Sequence, residues 1–540
     1  MLAREPEWSI SSGSRPFHPK PTLALGDLFA MGVTNFPDRA AISDGKQTLT
    51  FRELDELAWR ISAKLREMGT SQGERIAVIS SKSALMPAIV VAIWKCGATY
   101  VPLDQDAPEK RQLRLIARIA PRAVICCERD VLLDSVPVIT VEELTNLISA
   151  PDCERWELPH MDPNDLAYII FTSGSTGEPK GVEITVSNLL VYFRVHNRVL
   201  EFEQNSRVIS FAPFHFDVSI EDTLLPLSLG AFSWQYREMY VGVLIRKRIA
   251  EQRITHMIAV STILSLITTP VEAISFNTFP YLQLLMTGAE VCDPKVINHW
   301  VSTHPNLHVF NAYGPTEATI VCLCHQITYI DPERTEAFPI GSPLEQVSLL
   351  LLDEEGSESS SGELCIGGPL VMRGYLDRPD LTDRVIFERD GIRYYRSGDY
   401  CTCLPDGTFQ YLGRRDDEVK INGRRIHLGE LRQTAMSCSG IDRVVVGLIM
   451  RFEKSEIALL VFTESPEAFS DLRKQLGDRL PSYMLPSIWA HGTQVFQSAS
   501  GKTDEKTLLE RLRIVANQFQ QTDFYLKEDG YFAPQARSNH

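Results

Sequence analysis

The sequence predicts an α/β protein, with a large N-terminal domain of parallel-rich sheets flanked by helices and a small, mobile α+β C-terminal domain. Three observations carry that expectation. Short β-branched runs alternate with helical periodicity from about Thr22 to Leu412, the texture changes past Tyr411, and a glycine-rich loop follows directly on the apolar run Ala167 to Phe171. Strand and helix in alternation imply parallel sheets with helices on their faces.

In chain order, Leu54, Leu57, Ile61 and Leu65 mark one face of a helix, 75–80 reads as a strand, and 84–95 reads as a helix. The runs 122–126, 167–171, 207–211, 282–286 and 307–310 read as further strands, and 294–303 as a helix. The Ser- and Glu-rich stretch 353–362 is a solvated turn between two strands. Gly413-Arg-Arg-Asp-Asp417 is a charged, glycine-led joint. The domains expected are therefore 1–412, a hinge at 413–416 and a small unit at 417–510 with strands at 444–450 and 457–462. A mobile polar tail is expected at 511–540.

A chain of 540 residues has room for more than one core. Its net charge of -15 argues against nucleic acid or an anionic membrane as a partner. No apolar run reaches the roughly 18 residues of a membrane span, and Met1 to Lys20 lacks a signal-type apolar core, so a soluble cytoplasmic protein is expected. The 11 scattered cysteines lack zinc spacing and read as reduced thiols. His299, His304 and His308 share no helical face and read as surface histidines.

The loop Thr172-Ser-Gly-Ser-Thr-Gly-Glu-Pro-Lys-Gly181 is built to hold phosphate. Its glycines free backbone N–H groups to point at an anion, its hydroxyls add donors, and Lys180 adds a charge. It is not a Walker loop, because Pro179 stands where that motif has its second glycine. A second segment, Asn311-Ala-Tyr-Gly-Pro-Thr-Glu-Ala-Thr319, follows a strand end, where ligand chemistry sits in α/β folds. Glu317 beside Thr316 can hold magnesium through oxygen, and Tyr313 offers a flat face to a purine. Together the two segments point to ATP with Mg2+.

On these motifs the chain resembles the adenylate-forming superfamily, and within it the amino-acid adenylation domains of nonribosomal peptide synthesis and their free-standing relatives. The resemblance runs through Leu49 to Leu54, Lys95 to Asp104, Gly362 to Gly368, Tyr395 to Asp399, Gly413 to Asp416, Val419 to Ile426, Leu480 to Pro486 and Gly501-Lys502. It implies that Thr172, Ser173, Gly174, Ser175, Thr176, Gly177 and Lys180 contact the phosphates of ATP. Asn311, Ala312, Tyr313 and Gly314 line the nucleotide, Asp399 accepts from the ribose hydroxyls, and Arg414 supports the ribose. It further implies that Glu317 binds the metal with Thr316 beside it, that Asp416 is the hinge, and that Lys502 is the catalytic lysine. Lys420 and Gly423 would line the approach of a phosphopantetheine thiol.

Phe214 to Ser219 matches the family segment whose aspartate, here Asp217, binds a substrate amino group beside Phe216. The pocket carried across is Asp217, Val218, Glu221, Ile258, Leu285, Thr287, Ala312, Ile320 and Val321. Glu221 is its one charged wall residue after Asp217. Either it meets a second cation, as a diamino acid would supply, or it turns to solvent and the substrate is a small aliphatic amino acid. The activity implied is ATP-dependent formation of an aminoacyl-adenylate, then transfer to a separate carrier protein, with Arg414, Arg415, Lys420, Arg424 and Arg425 as its basic docking face. An acyl- or aryl-coenzyme A ligase would use the same adenylate chemistry. The chain departs from the family pattern at Ser397, Glu418, Asn422, His427, Gln497 and Ala499.

Overall fold

The computed structural model describes residues 24–535 apart from 132, 175–177, 276–277, 335, 415–416, 442, 453, 464, 494–504 and 528–530. Two sheets of seven and nine strands form the large domain. The first holds Arg75–Ser80, Thr99–Asp104, Ala123–Cys126 and Leu166–Thr172 in parallel, and then turns antiparallel to Lys180–Thr185. In the second, Arg207–Ser210, Phe232–Gln235, His256–Val260, Leu284–Gly288 and His308–Tyr313 run parallel.

These strands are near-continuous apolar runs because parallel sheets are covered on both faces. Helices Phe51–Glu67, Met86–Lys95 and Val186–Leu200 share one core with both sheets. The first begins at Thr50, whose hydroxyl accepts from the Glu53 N–H (3.2 Å) while the Glu53 carboxylate accepts from the Thr50 N–H (2.8 Å). That reciprocal cap satisfies two otherwise orphaned donors. Buried Trp94 donates to the Ala167 carbonyl (2.8 Å) and ties helix to sheet.

An antiparallel sheet of Ser348–Leu352, Ser361–Gly367, Ile386–Arg389, Ile392–Cys403 and Phe409–Arg414 closes the large domain. The solvated stretch 353–362 links its first two strands, as expected. Gly413 and Arg414 pair with Tyr400 and Asp399 inside this sheet, so they end a strand rather than open a hinge. Asp416 lies outside the described residues.

The small domain begins with the hairpin Glu418–Ile421 and Arg424–His427, followed by a five-stranded sheet. Its first two strands are Arg443–Arg451, at one edge, and Lys454–Phe462, slightly longer than expected. The expected tail is the main correction. Helix Glu505–Ala516 places Leu508, Leu512 and Ala516 in a core beneath this sheet, and Asp523–Leu526 and the edge strand Phe532–Pro534 are its last two strands. Polar spacing hid an apolar stripe of period four.

Two smaller expectations also change. The strand expected at 282–286 lies at Leu284–Gly288, because Leu282 closes a turn onto the Phe279 carbonyl. His304 is buried and stacks on Trp300 and Phe279, with centroids 5.4 and 6.2 Å away. All eleven cysteines are free. Burial pushes the thiols of Cys322, Cys324 and Cys401 above their ordinary range. Among the described residues no helix is long and apolar enough to cross a membrane.

Truncating Phe524 to alanine should cost about 3–5 kcal/mol of small-domain stability, as for other buried aromatics. Ile514→Ala on the exposed face of Glu505–Ala516 should stay within about 0.5 kcal/mol. Denaturant unfolding of the full chain measures both, and equal effects would contradict the packing.

Candidate active site

The site forms where strand ends of both sheets meet. Thr172 ends one strand and pairs in register with Lys180, which opens the next. Between them Gly174 is closely packed, since a Cβ there would stand 2.1 Å from the Glu178 carbonyl oxygen. Ser175, Thr176 and Gly177 lie outside the described residues. The Thr172 hydroxyl is buried with no hydrogen-bond partner among the described residues. Lys180 stands over the Tyr375 ring at 5.0 Å. Burial, aided by Arg425, lowers its pKa.

Strand His308–Tyr313 delivers the second segment. Gly314 is required by the fold, because a Cβ there would meet the Ile320 carbonyl oxygen at 2.2 Å. The Tyr313 hydroxyl donates to Asp399, and Arg414 Nη1 reaches the other Asp399 oxygen at 3.0 Å. The Asp399 N–H donates to the Ser397 hydroxyl (3.0 Å), which holds the backbone at Asp399. Asn311 turns elsewhere, donating to the Pro339 carbonyl (2.8 Å).

Glu317 is fully buried in a short helical turn at 316–318. The Tyr375 hydroxyl donates to its Oε1 (2.8 Å), and Arg425 Nη1 donates to its Oε2 (2.5 Å). Burial alone would raise this carboxyl. Arg425, Lys180 and Tyr375 outweigh burial and hold it at about 2. It is thus a permanent anion already facing a cation, a donor suited to a hard divalent metal. Thr316, half-buried, lies against Asp217 and favours its charged form.

Arg425 arrives on the small-domain hairpin, which is inserted into the site. Its Nε reaches Glu418 at 2.5 Å. The Ser173 hydroxyl bridges the hairpin backbone, donating to the Arg425 carbonyl (3.1 Å) and accepting from the His427 N–H (3.0 Å). Asn422 and Gly423, at φ +52° and +73°, form a tight turn. A Cβ on Gly423 would press on Val260 at 2.4 Å, and its N–H donates to Glu290 (2.6 Å). Lys420 lies 5.3 Å from the Tyr313 ring centre. Arg424 covers Phe216 and Tyr483, Arg425 is inside, and Arg414 holds Asp399, so these arginines form no outward docking face.

The expected acid pocket is partly assembled. Val218, Ile258, Ala312, Ile320 and Val321 belong to one core. Strand alternation places Leu285 and Thr287 on the opposite sheet face. Leu285 packs there with Met257 and Val309, and Thr287 pairs with Ala259 of that same core. Asp217 is half-buried, and burial raises its carboxyl. Glu221 follows in a wide π-type turn at Ile220–Leu224, a form frequent at functional sites. It does not face solvent. Its side chain is buried against the Tyr192 hydroxyl, and burial with Asp222 and Asp217 nearby raises its pKa well above the ordinary range. Thr319 and Ile320 hold φ +53° and +72°, strained values for β-branched residues, with the Thr319 hydroxyl anchored on the Leu370 carbonyl (2.6 Å).

Sequence reasoning missed several groups. Tyr192 and His196, one turn apart on a helix, stand beside Glu221, with His196 Nδ1 3.3 Å from Oε1 and 2.6 Å from the Tyr192 hydroxyl. Burial lowers His196 to about 3, so it brings no charge. Burial raises the Asp222 carboxyl and the charge of Lys82 partly offsets it; Lys82 donates to Ser210 (2.6 Å) and the Ala212 carbonyl (2.7 Å). No short motif contains these pairs. Tyr375 and the inward role of Arg425 had no local signal either. Lys502 lies outside the described residues.

A family model for AMP-binding enzymes matches residues 29–376. Syringomycin synthase SyrB1 of Pseudomonas syringae pv. syringae is 30% identical over 519 residues, covering 93% of this chain and 83% of that protein. Tyrocidine synthase 3 of Brevibacillus parabrevis is 31% identical over 501 residues, covering 90% of this chain. The chain spans 8% of that synthase's length. Among solved structures, NpsA-ThdA, an artificially fused adenylation-PCP di-domain of a nonribosomal peptide synthetase from Klebsiella oxytoca, superposes with TM-score 0.77 at 22% identity. It covers 86% of this chain and 93% of its own, a likeness of fold.

A carboxyl held down to about 2 stabilises the folded state fully above its ordinary value of 4.5, and loses that contribution as pH falls towards 2. Glu317→Gln should therefore flatten the acid limb of the stability profile across that window, read by unfolding at stepped pH. An unaltered limb would show that Glu317 carries no such ion pair.

Proposed function

This chain belongs to the AMP-binding enzymes, and from that premise we propose that it activates an α-amino acid as its adenylate. The acyl group then passes to the phosphopantetheine thiol of a carrier protein. The observation that carries the reading is Asp217, a half-buried carboxylate at an apolar wall, beside the anionic Glu317 turn. A buried anion is costly without a partner, and a substrate ammonium group supplies one.

The substrate carboxylate attacks the α-phosphorus of ATP, a P–O bond forms, and the bond to pyrophosphate breaks. Thr172, Ser173 and Lys180 would hold the phosphates, Asp399 and Arg414 would orient the ribose, and Glu317 would hold the metal. Bound there, Mg2+ would neutralise phosphate charge and orient the leaving pyrophosphate. Two anions about 4 Å apart repel by roughly 4 kcal/mol at an effective dielectric of 20, and Lys502 offsets that repulsion. The small domain then turns about Asp416 and brings the hairpin in. Gly423, without a side chain, leaves the thiol a path beside Lys420.

Glu221 supports an amino acid whose side chain ends in an ammonium group. Its buried carboxyl faces the Tyr192 hydroxyl and the uncharged His196, neither of them a cation, whereas its neighbour Asp222 has the charge of Lys82 nearby. For an acidic carrier, Lys110, Arg114 and Arg479 around a cleft of about 430 Å³ between the domains form the accessible basic group.

ATP–pyrophosphate exchange over a panel of acids tests the reading. Exchange is expected with 2,4-diaminobutyrate or ornithine and with no aryl or fatty acid; exchange only with alanine or valine removes the role of Glu221. Lys502→Met should lower exchange about 10²- to 10³-fold, the usual loss of one charge-stabilising donor. Reversing Lys110 and Arg114 should slow carrier loading far more than exchange, and equal losses would refute docking at the cleft.

A further inference from the structure

We propose that Lys82 is a positioning residue for the substrate's amino group, holding the segment that carries Asp217 in register with the phosphate loop. The proposal rests on the adenylation reading above and adds the group that aligns its two substrates.

Asp217 stands on an irregular stretch between strand Arg207–Ser210 and the wide turn Ile220–Leu224. Both ends of that stretch close on one buried cluster. The Ser210 hydroxyl donates to Asp222 Oδ1 (2.7 Å), and Asp222 Oδ2 accepts from the N–H groups of Phe211 (3.2 Å) and Ala212 (3.4 Å). The Thr223 hydroxyl also donates to Asp222 Oδ1 (2.9 Å), and Gln235 of the neighbouring strand donates to Thr223 (3.0 Å). The stretch is thus a closed loop whose neck is Ser210 and Asp222.

These neck residues belong to the nine-stranded sheet and the turn beside it. Lys82 comes from elsewhere, two positions past strand Arg75–Ser80 of the seven-stranded sheet. Its buried ammonium group donates to the Ser210 hydroxyl (2.6 Å) and to the Ala212 carbonyl (2.7 Å), and its charge offsets part of the burial of Asp222. One side chain therefore meets the neck at a hydroxyl, at the backbone and, through charge, at a carboxylate.

The same end of the seven-stranded sheet carries the phosphate loop. Ser80 pairs with Asp104, and the next parallel strand, Leu166–Thr172, ends where that loop begins. Lys82 thus joins the amino-acid anchor to the sheet that anchors the phosphates. The segment's other approach to that sheet is looser, for His215 Nε2 lies 3.8 Å from Asp104 and the ring makes no hydrogen bond among the described residues. Attack on phosphorus needs the reacting atoms about 3–3.5 Å apart, and a misplacement of about 1 Å costs up to roughly 10²-fold. Without Lys82 the loop would keep its neck but lose its bearing on the phosphates, and Asp222 would be left buried without a cation.

The test compares full-length Lys82→Met, Lys82→Arg and Ser210→Ala with the wild-type chain in ATP–pyrophosphate exchange, using the amino acid of the panel above that exchanges fastest. Lys82→Met should raise the KM for that amino acid at least about tenfold and leave the KM for MgATP within about twofold. Lys82→Arg, which keeps the charge and the donors, should recover part of the loss. Ser210→Ala, which removes the hydroxyl shared by Lys82 and Asp222, should raise the same KM about threefold. In amide hydrogen exchange without substrates, both Lys82→Met and Ser210→Ala should speed exchange across 211–222, by at least about tenfold in Lys82→Met, while 166–172 keeps its protection.

An equal rise in both KM values, or no rise in the amino-acid KM, overturns the proposal. Should Lys82→Met not fold, Ser210→Ala decides by the same two readouts. If no amino acid supports exchange, the functional reading fails, yet the amide experiment still decides, because unaltered protection of 211–222 overturns the positioning role.

Discussion

A carboxylate sealed from water must face positive charge, and Glu317 imposes that requirement on the whole active site. Its burial would cost several kcal/mol with no partner. Lys180 and Arg425 reach it from a strand start and from a different domain, and Tyr375 fixes its free oxygen. The pairing of large and small domains follows from this one charge. Because the hairpin carries Arg425, the position of the small domain and the ionic state of the site are a single variable.

The scaffold makes such a charge tenable. Parallel strands of the two sheets end at Thr172 and Tyr313, just before Ser173 and Glu317, and the antiparallel sheet supplies Asp399 with Arg414 opposite it. Rigid strand ends fix these groups to the precision a reaction needs. The wide turn at Ile220–Leu224 does the same for the acid pocket, setting Asp222 on the Ser210 hydroxyl and Glu221 beside Tyr192 and His196.

Much of this was legible from the amino-acid order. Continuous β-branched runs announce covered parallel strands, and the glycine and hydroxyl loop announces phosphate, because both signals are local. The role of Arg425 was not legible. Its partner lies 108 positions away, and paired arginines in a turn read as a solvated face. Thr319 and Ile320 gave no sign of left-handed backbone, since no glycine marks it. Leu285 and Thr287 were assigned by motif alone, whereas a strand sends successive side chains to opposite faces. The final helix was masked by charged residues between Leu508, Leu512 and Ala516.

The buried thiols bear on the fate of the activated intermediate. An acyl-adenylate is a mixed anhydride, prone to capture by any sulfur anion within reach, and Cys322, Cys324 and Cys401 line the neighbouring core. Burial keeps those three sulfurs protonated, and a thiol reacts chiefly as its anion. The interior is therefore chemically deaf to an adenylate formed beside it, and on the proposed reading the acyl group would wait for a nucleophile delivered from outside.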